Sequence, residues 1–198
     1  MGRPGPVHRL GGDRVRFRAA IQARRTGDAG FRGIRGRPGS ASWWAGILFV
    51  LALLGGAAVP IAAICGMPVL PGAGTPWRWA GLVITTAGIA ATLAGQSAMG
   101  TSWRVGVDSR ERTALVMTGM FASVRNPVFT AMTVTAIGLA LMVPSAVAVL
   151  ALAALVTAVQ MQVRIVEKPH LRSVHGAAYD AYAARAGRFL PGIGRRTA

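Results

Sequence analysis

Two charged side chains, Arg125 and Glu167, lie just before and just after a long apolar stretch of the chain. Pro144-Ser145 interrupts this stretch, which predicts two antiparallel helices joined by almost no loop. Such a tight turn would return Glu167 to the membrane face on which Arg125 lies. A guanidinium holds a carboxylate through two parallel hydrogen bonds, and a carboxylate attracts an ammonium group. The pair therefore predicts a pocket for an amino-acid-like zwitterion.

Each of these charged residues also has a plainer interpretation when it is taken alone. Arg125 precedes Asn126-Pro127, where a helix can begin, and arginines are common on the cytoplasmic side of membrane helices. Glu167 can be a solvated carboxylate at a helix end. In the preceding loop, Arg104 and Asp108 either contribute to the same pocket or serve only the structure of the loop. The predicted site therefore depends on the pairing of Arg125 with Glu167.

The composition favours a membrane protein. The chain has 198 residues, of which 53% are hydrophobic and 14% are charged, and its mean hydropathy is +0.46. Soluble domains carry about a quarter charged residues. The single cysteine, Cys65, lies in an apolar run, which excludes an intrachain disulfide and predicts a core position. No set of histidine, cysteine and acidic residues has metal-ligand spacing, so no metal site is predicted.

Residues 1–40 form a separate basic segment that is rich in Gly, Pro and Arg and has no sustained apolar periodicity. Such a segment buries too little surface to offset its chain entropy. We therefore predict a disordered tail, followed by a membrane domain over residues 41–198. The charge of the tail suits anionic lipid heads. No specific nucleic-acid partner is predicted, because the tail lacks a recognisable nucleic-acid-binding motif.

Four apolar runs predict an all-α, polytopic membrane helix bundle. The first two are long enough to cross about 30 Å of hydrocarbon, and the last two are somewhat short. The predicted crossings are residues 43–65, 77–98, 128–143 and 146–163, and a cytoplasmic C-terminal helix is predicted at 165–186. One apolar stripe is predicted along that last helix, formed by Leu171, Val174, Ala178 and Tyr182.

Basic residues mark one side of the predicted bundle. The N-terminal tail, the loop at 99–127 and the C-terminal segment are basic, whereas the two opposite connections contain Arg78 or no basic residue. The positive-inside rule then predicts that both termini are cytoplasmic. The abundance of arginine, alanine and glycine is typical of a GC-rich bacterial genome. Together with the four predicted crossings, this composition predicts a multi-pass protein of a bacterial inner membrane.

Several short motifs occur in a fixed order around the predicted hairpin. They begin with a Gly-x-Phe sequence and an Arg-Asn-Pro sequence, and they continue after the apolar pair with an acid, a Gly-x-x-Tyr-x-x-Tyr sequence and a proline. The residues are Gly119, Phe121, Arg125, Pro127, Glu167, Gly176, Tyr179, Tyr182 and Pro191. Over residues 98–192 the series resembles the isoprenylcysteine carboxyl methyltransferase and phospholipid methyltransferase superfamily of integral membrane enzymes.

The resemblance implies methyl transfer from S-adenosylmethionine to a lipophilic acceptor, such as an isoprenoid, fatty or phospholipid-like molecule. It implies that Arg125, Asn126 and Glu167 anchor the cofactor. Aromatic rings suit an adenine ring or a sulfonium, so Phe129, Tyr179 and Tyr182 are expected to shape the pocket. The full set of predicted cofactor-binding residues is Gly119, Arg125, Asn126, Pro127, Phe129, Glu167, Tyr179 and Tyr182. Arg104 is the candidate catalytic residue, expected to orient an anionic acceptor.

Three positions depart from the pattern of the superfamily. Asn126 stands where the motif has histidine, Phe129 where it has tyrosine, and Lys168 where it has a second glutamate. Lys168 reverses a charge beside a cationic cofactor, so a non-catalytic membrane homologue stays an alternative. A related membrane reductase that uses NADPH is the other alternative.

Overall fold

The computed structural model describes residues 34, 36–66, 68, 70, 74–99 and 115–195 of the chain. Within these residues it confirms the predicted all-α bundle. The helices are α1 (Ala41–Ile64), α2 (Thr75–Met99), α3 (Pro127–Met142), α4 (Ala146–Met161) and α5 (Lys168–Arg185). A short 3-10 turn at Gly119–Ala122 precedes α3, and a π-helical turn at Gln162–Glu167 joins α4 to α5.

Local capping explains where the helices begin. The hydroxyl oxygen of Ser40 accepts a hydrogen bond from the Trp43 N–H (3.3 Å) at the start of α1. Ser145 does the same for the Ala148 N–H (3.3 Å) at the start of α4. Pro127 occupies the first turn of α3, where its missing N–H has no intrahelical partner to lose. The predicted tight turn between the third and fourth apolar runs is therefore present.

The lengths of the helices fit a membrane protein. In the described part of the chain three helices are long and apolar enough to cross a bilayer: α1, α2 and the continuous helix from Ala146 to Arg185. Helix α3 has 16 residues and rises about 24 Å, so it is the short member of the bundle. Large apolar side chains such as Leu54, Ile61 and Leu150 point outward, as lipid-facing residues do. The protein is an integral membrane protein.

The helices pack as two antiparallel pairs that meet along α3 and α4. Helix α2 packs mainly against α3 through Gly81, Gly88 and Gly95, which recur at every seventh residue on one face. Helix α1 packs mainly against α4, where Phe49 and its neighbours form the core of the bundle. The sequence predicts the α3–α4 hairpin but not this pairing of α2 with α3 and of α1 with α4.

Backbone contacts define the two ends of the bundle. At one end the Leu70 N–H donates to the Pro144 carbonyl (2.7 Å), which joins the connection before α2 to the α3–α4 turn. We call this the Pro144 end. The opposite end, which we call the Arg125 end, contains the start of α3 at Pro127 and the end of α4 at Met161. Arg125 and Glu167 therefore lie at the same end of the bundle.

The packing of α2 against α3 can be tested by adding a methyl group where the two helices lie close together. A methyl group added at Gly88 would lie 2.7 Å from the backbone nitrogen of Thr135, and backbone cannot rotate away as a side chain can. Gly88→Ala is therefore expected to lower stability by about 1–3 kcal/mol through overpacking. Gly56→Ala in α1 is the matched control, because no atom lies within 4 Å of the added methyl group. Thermal unfolding in detergent measures both, and equal midpoints for the two variants would contradict the packing described.

The C-terminal helix differs from the prediction in two ways. Gly176 has φ 49° and ψ −123°, a conformation that side chains resist, so α5 is kinked there instead of running straight. The kink breaks the predicted apolar stripe: Ala178 is exposed, whereas Tyr179 and Tyr182 are buried. The core position predicted for Cys65 is also wrong, because this residue is exposed just after α1 ends.

Candidate functional site

Two short segments lie side by side at the Arg125 end. Gly119 has φ +59°, which glycine tolerates, and opens the 3-10 turn that leads to α3. Val124 then forms a parallel bridge with Gly187. The Arg125 N–H donates to the Gly187 carbonyl (2.8 Å), and the Gly187 N–H donates to the Ser123 carbonyl (2.9 Å). The chain after α5 is thus attached to the entrance of α3.

Asn126 strengthens this attachment. Its backbone N–H and its side-chain amide both donate to the Arg188 carbonyl, at 3.2 and 3.1 Å. Its side chain makes no capping bond to α3. One turn later the Thr130 hydroxyl donates to the Phe189 carbonyl (2.7 Å). Asn126 therefore has a structural task here, and its role as a cofactor anchor stays a prediction.

Tyr182 joins α5 to the 3-10 turn. Its hydroxyl donates to the Phe121 carbonyl (2.6 Å), and both residues are buried. Burial raises the pKa of Tyr182 to about 12, with a smaller opposing effect of the positive charge of Arg125. Tyr182 and Tyr179 form a small core with Ala183 and Ala186. Both tyrosines thus pack inside the protein, and their part in shaping a cofactor pocket stays a prediction.

The hydrogen bond of Tyr182 can be tested by removing one oxygen. Tyr182→Phe would leave the buried Phe121 carbonyl without its donor, which costs about 1–3 kcal/mol. Hydrogen exchange should then become faster in residues 119–126 and 187–194. Tyr179→Phe is the matched control, because the Tyr179 hydroxyl has no hydrogen bond to the described residues. If both variants exchange like the unmodified protein, the Tyr182 bond does not hold the segments together.

Phe129 lies within the helix bundle. Its ring meets that of Phe49 edge to face, with ring centroids 6.4 Å apart. It packs against the core that residues of α1 and α4 form. The structure therefore shows Phe129 as a packing residue between α3, α1 and α4, and its contact with an adenine ring stays a prediction.

The Arg125 side chain is partly engaged. Its Nη2 donates to the Gly194 carbonyl (2.7 Å). Its Nε is buried and has no hydrogen-bond partner among the described residues. A buried N–H without an acceptor is costly, which makes Nε a candidate donor for a bound group.

Glu167 ends the π-helical turn at the Arg125 end. It lies six residues beyond Met161, outside the uniformly apolar part of the fourth crossing helix. Glu167 is partly buried by its solvent exposure. Burial raises the pKa of Glu167 to about 7, while a hydrogen bond from the Gln162 side chain opposes the rise. Single π-helical turns inside helices are common at functional sites, because they rotate the residues that follow.

Arg125 and Glu167 form no ion pair with each other in the described part of the chain. A ligand held by both residues between the start of α3 and the end of α4 therefore stays a prediction. Of the other predicted residues, Pro127 begins α3 and Gly119 begins the 3-10 turn. Arg104 lies outside the described residues.

Some polar residues at this end were missed by the sequence analysis. Gln162 bonds to Glu167, and Thr130 holds the chain after α5. Arg164 and Arg188 belong to the basic C-terminal segment, for which the sequence predicts only a part in the orientation. A signal for Gln162 was present, since an amide near the end of an otherwise apolar run is unusual, whereas Thr130 gave none.

Comparison with known families agrees with this architecture. Residues 77–178 match the model of the phospholipid methyltransferase family, which covers the helices from α2 to the first part of α5. No curated protein and no solved structure matches the chain. The match confirms the phospholipid methyltransferase part of the predicted resemblance. The chain belongs to the phospholipid methyltransferase family, whose members are integral membrane methyltransferases of lipid-like substrates.

Proposed function

We propose that this protein transfers a methyl group from S-adenosylmethionine to a lipophilic acceptor that reaches the site through the bilayer. The observation that carries the proposal is the pair of available charges at the Arg125 end. Arg125 has a buried Nε without an acceptor among the described residues, and Glu167 has a partly buried carboxylate. The family match supports methyl transfer in general.

The residues present fit the amino-acid end of S-adenosylmethionine. The Nε of Arg125 is a donor for its carboxylate, and Glu167 is an acceptor for its ammonium group. Lys168, the next residue, is the poorest fit, because its charge opposes that of the ammonium. When bound, S-adenosylmethionine supplies a methyl group that its sulfonium has already activated.

The task left to the protein is alignment rather than proton transfer. An acceptor carboxylate or thiolate needs no general base, so the protein has to hold the two reactants in line and exclude water. We propose that the C-terminal segment, which Asn126 and Thr130 attach to α3, covers the bound cofactor. The acceptor is proposed to be an isoprenoid, fatty or phospholipid-like molecule. The proposed location is a bacterial inner membrane, with the Arg125 end in the cytoplasm.

Two measurements test the proposal. The purified protein in detergent is titrated calorimetrically with S-adenosylhomocysteine. The dissociation constant should lie in the micromolar range, which corresponds to a binding free energy of about −8 kcal/mol. The same protein should transfer a radiolabelled methyl group from S-adenosylmethionine into a lipid fraction. If S-adenosylhomocysteine does not bind, the proposal fails. If NADPH binds in its place, the reductase alternative is favoured.

Lys168 favours one other candidate, a membrane homologue that has lost its activity. Lys168→Glu separates the two. A large gain in affinity for S-adenosylhomocysteine, together with a first appearance of methyl transfer, would indicate that the unmodified protein is inactive. Affinity and transfer that hardly change would mean that the Lys168 side chain does not face the cofactor.

The pKa of Glu167 predicts how cofactor binding depends on pH. Its pKa of about 7 lies above the ordinary value of 4.5, so protonation competes with ammonium binding below neutrality. Affinity for S-adenosylhomocysteine should therefore be about tenfold weaker near pH 6 than near pH 8 and should level off above that. Titrations at the two pH values measure the difference. Glu167→Gln should show a flat profile, and a profile equal to that of the unmodified protein would exclude Glu167 as the titrating group.

A further inference from the structure

At the Arg125 end, two arginine side chains, Arg125 and Arg164, lie close enough to Arg188 for their charges to act on it. Arg125 and Arg188 belong to the two segments that pair through Val124 and Gly187. Arg164 belongs to the π-helical turn that follows α4. Its neighbour Val163 belongs to the core cluster against which Phe189, the neighbour of Arg188, packs. The fold therefore brings together arginines from three separate parts of the chain.

The positive charges of Arg125 and Arg164 act on the pKa of Arg188. Partial burial lowers the pKa of this guanidinium, and the positive charges of Arg164 and Arg125 lower it further. Like charges that act on one another destabilise the folded protein unless an anion lies between them. The three arginines therefore need an anion to neutralise their charges.

No acidic side chain of the described residues forms an ion pair with these three arginines. Asp180 pairs with Arg172 on α5 (3.4 Å), and Glu167 forms no ion pair within the part of the chain that the structure describes. Arg164 donates to the neutral amide of Gln160 (2.9 Å). The loop at 100–114, which the structure does not describe, carries three arginines and two acids, so its own net charge is positive.

We propose that Arg164 and Arg188 bind a phosphate group, carried by an anionic lipid head group or by a soluble phosphate. Guanidinium groups bind phosphate oxygens through paired, charge-assisted hydrogen bonds. Arg125 adds positive potential, while its Nη2 is held by Gly194. A lipid is the source that the geometry favours, because Arg164 lies directly beyond the crossing part of α4. The proposal does not depend on methyl transfer.

The test uses the full-length protein in an uncharged detergent without cofactor. Thermophoresis measures binding of three probes: dihexanoyl phosphatidic acid, dihexanoyl phosphatidylcholine and inorganic phosphate. The double variant Arg164→Gln with Arg188→Gln should bind phosphatidic acid at least about tenfold more weakly than the unmodified protein. A matched double variant, Arg78→Gln with Arg185→Gln, removes the same charge from exposed positions and should lose less than about twofold.

The outcomes separate the possible sources and overturn the proposal if it is wrong. Stronger binding of phosphatidic acid than of inorganic phosphate supports a lipid head group. Equal binding of the two, lost in the Arg164/Arg188 variant, supports a soluble phosphate. Equal losses in the two double variants would show that net charge alone attracts the probe, and the site would be refuted. The affinity for S-adenosylhomocysteine should be the same in the Arg164/Arg188 variant as in the unmodified protein. A failure of the cofactor proposal can therefore be distinguished from a failure of the phosphate proposal.

Discussion

Glu167→Gln is expected to weaken the binding of S-adenosylhomocysteine about 100-fold. The substitution keeps the size of the side chain but removes the negative charge that is proposed to hold the ammonium group. Loss of one partner from a partly buried ion pair costs about 2–5 kcal/mol, and 100-fold corresponds to about 2.7 kcal/mol. Calorimetric titration near pH 8, where Glu167 is ionised, measures the full effect.

The matched control for this prediction is Asp180→Asn. Asp180 is the other acid in the described part of the chain, and it pairs with Arg172 on the exposed side of α5. The same change of charge there should leave the affinity within about twofold. Glu167→Gln should also leave the thermal stability near pH 8 unchanged or raised, because it removes a carboxylate whose ionised form burial disfavours. A variant that binds normally would exclude Glu167 from the site.

Arg125→Gln is expected to weaken the binding of S-adenosylhomocysteine about 30-fold. The guanidinium is proposed to hold the carboxylate of the ligand through its buried Nε, and a hydrogen bond to a charged group is worth about 1.5–3 kcal/mol. The substitution also removes the bond from Nη2 to the Gly194 carbonyl. Binding and docking of the C-terminal segment therefore have to be measured separately.

Two readouts make this separation. Hydrogen exchange in residues 187–194 reports the docking of the segment, and calorimetry reports the affinity. A truncated ligand without the carboxylate should bind the variant and the unmodified protein equally if Arg125 acts on the carboxylate. Arg185→Gln, an exposed arginine at the end of α5, is the control and should change neither readout. If the truncated ligand shows the same 30-fold loss, Arg125 acts through the structure alone.

Much of the bundle could be predicted because hydropathy and helix signals are local. Four apolar runs gave four helices whose ends lie within a few residues of the predicted crossings. Pro127 and the turn at Pro144-Ser145 mark helix boundaries through backbone constraints that belong to single residues. The partners of each helix were not predictable in the same way, because α2 and α3 meet through glycines whose spacing fits many interfaces.

The departures at the Arg125 end have nonlocal causes. The π-helical turn before Lys168 and the kink at Gly176 rotate the residues that follow. Ala178, which a straight helix places on the apolar stripe, is therefore exposed. The sequence predicts a regular helix here because no proline interrupts its middle. Tertiary contacts such as the bond from Tyr182 to Phe121 favour the irregular path.

The signature residues illustrate how far a motif predicts a site. Gly119, Asn126 and Tyr182 were predicted to bind the cofactor, and the structure shows each of them shaping or tying the backbone around α3. A sequence motif identifies residues that a fold requires, without telling positioning residues from those that touch a ligand. Arg125 and Glu167 retain polar atoms that the described fold does not use fully.

The most direct test of the paired-charge site compares two ligands that differ in the amino-acid end. S-adenosylhomocysteine carries both the carboxylate and the ammonium group, whereas 5′-methylthioadenosine carries neither. We predict that the unmodified protein prefers S-adenosylhomocysteine by more than about 100-fold and that Arg125→Gln with Glu167→Gln abolishes most of this preference. Equal affinity of the unmodified protein for the two ligands would contradict the account.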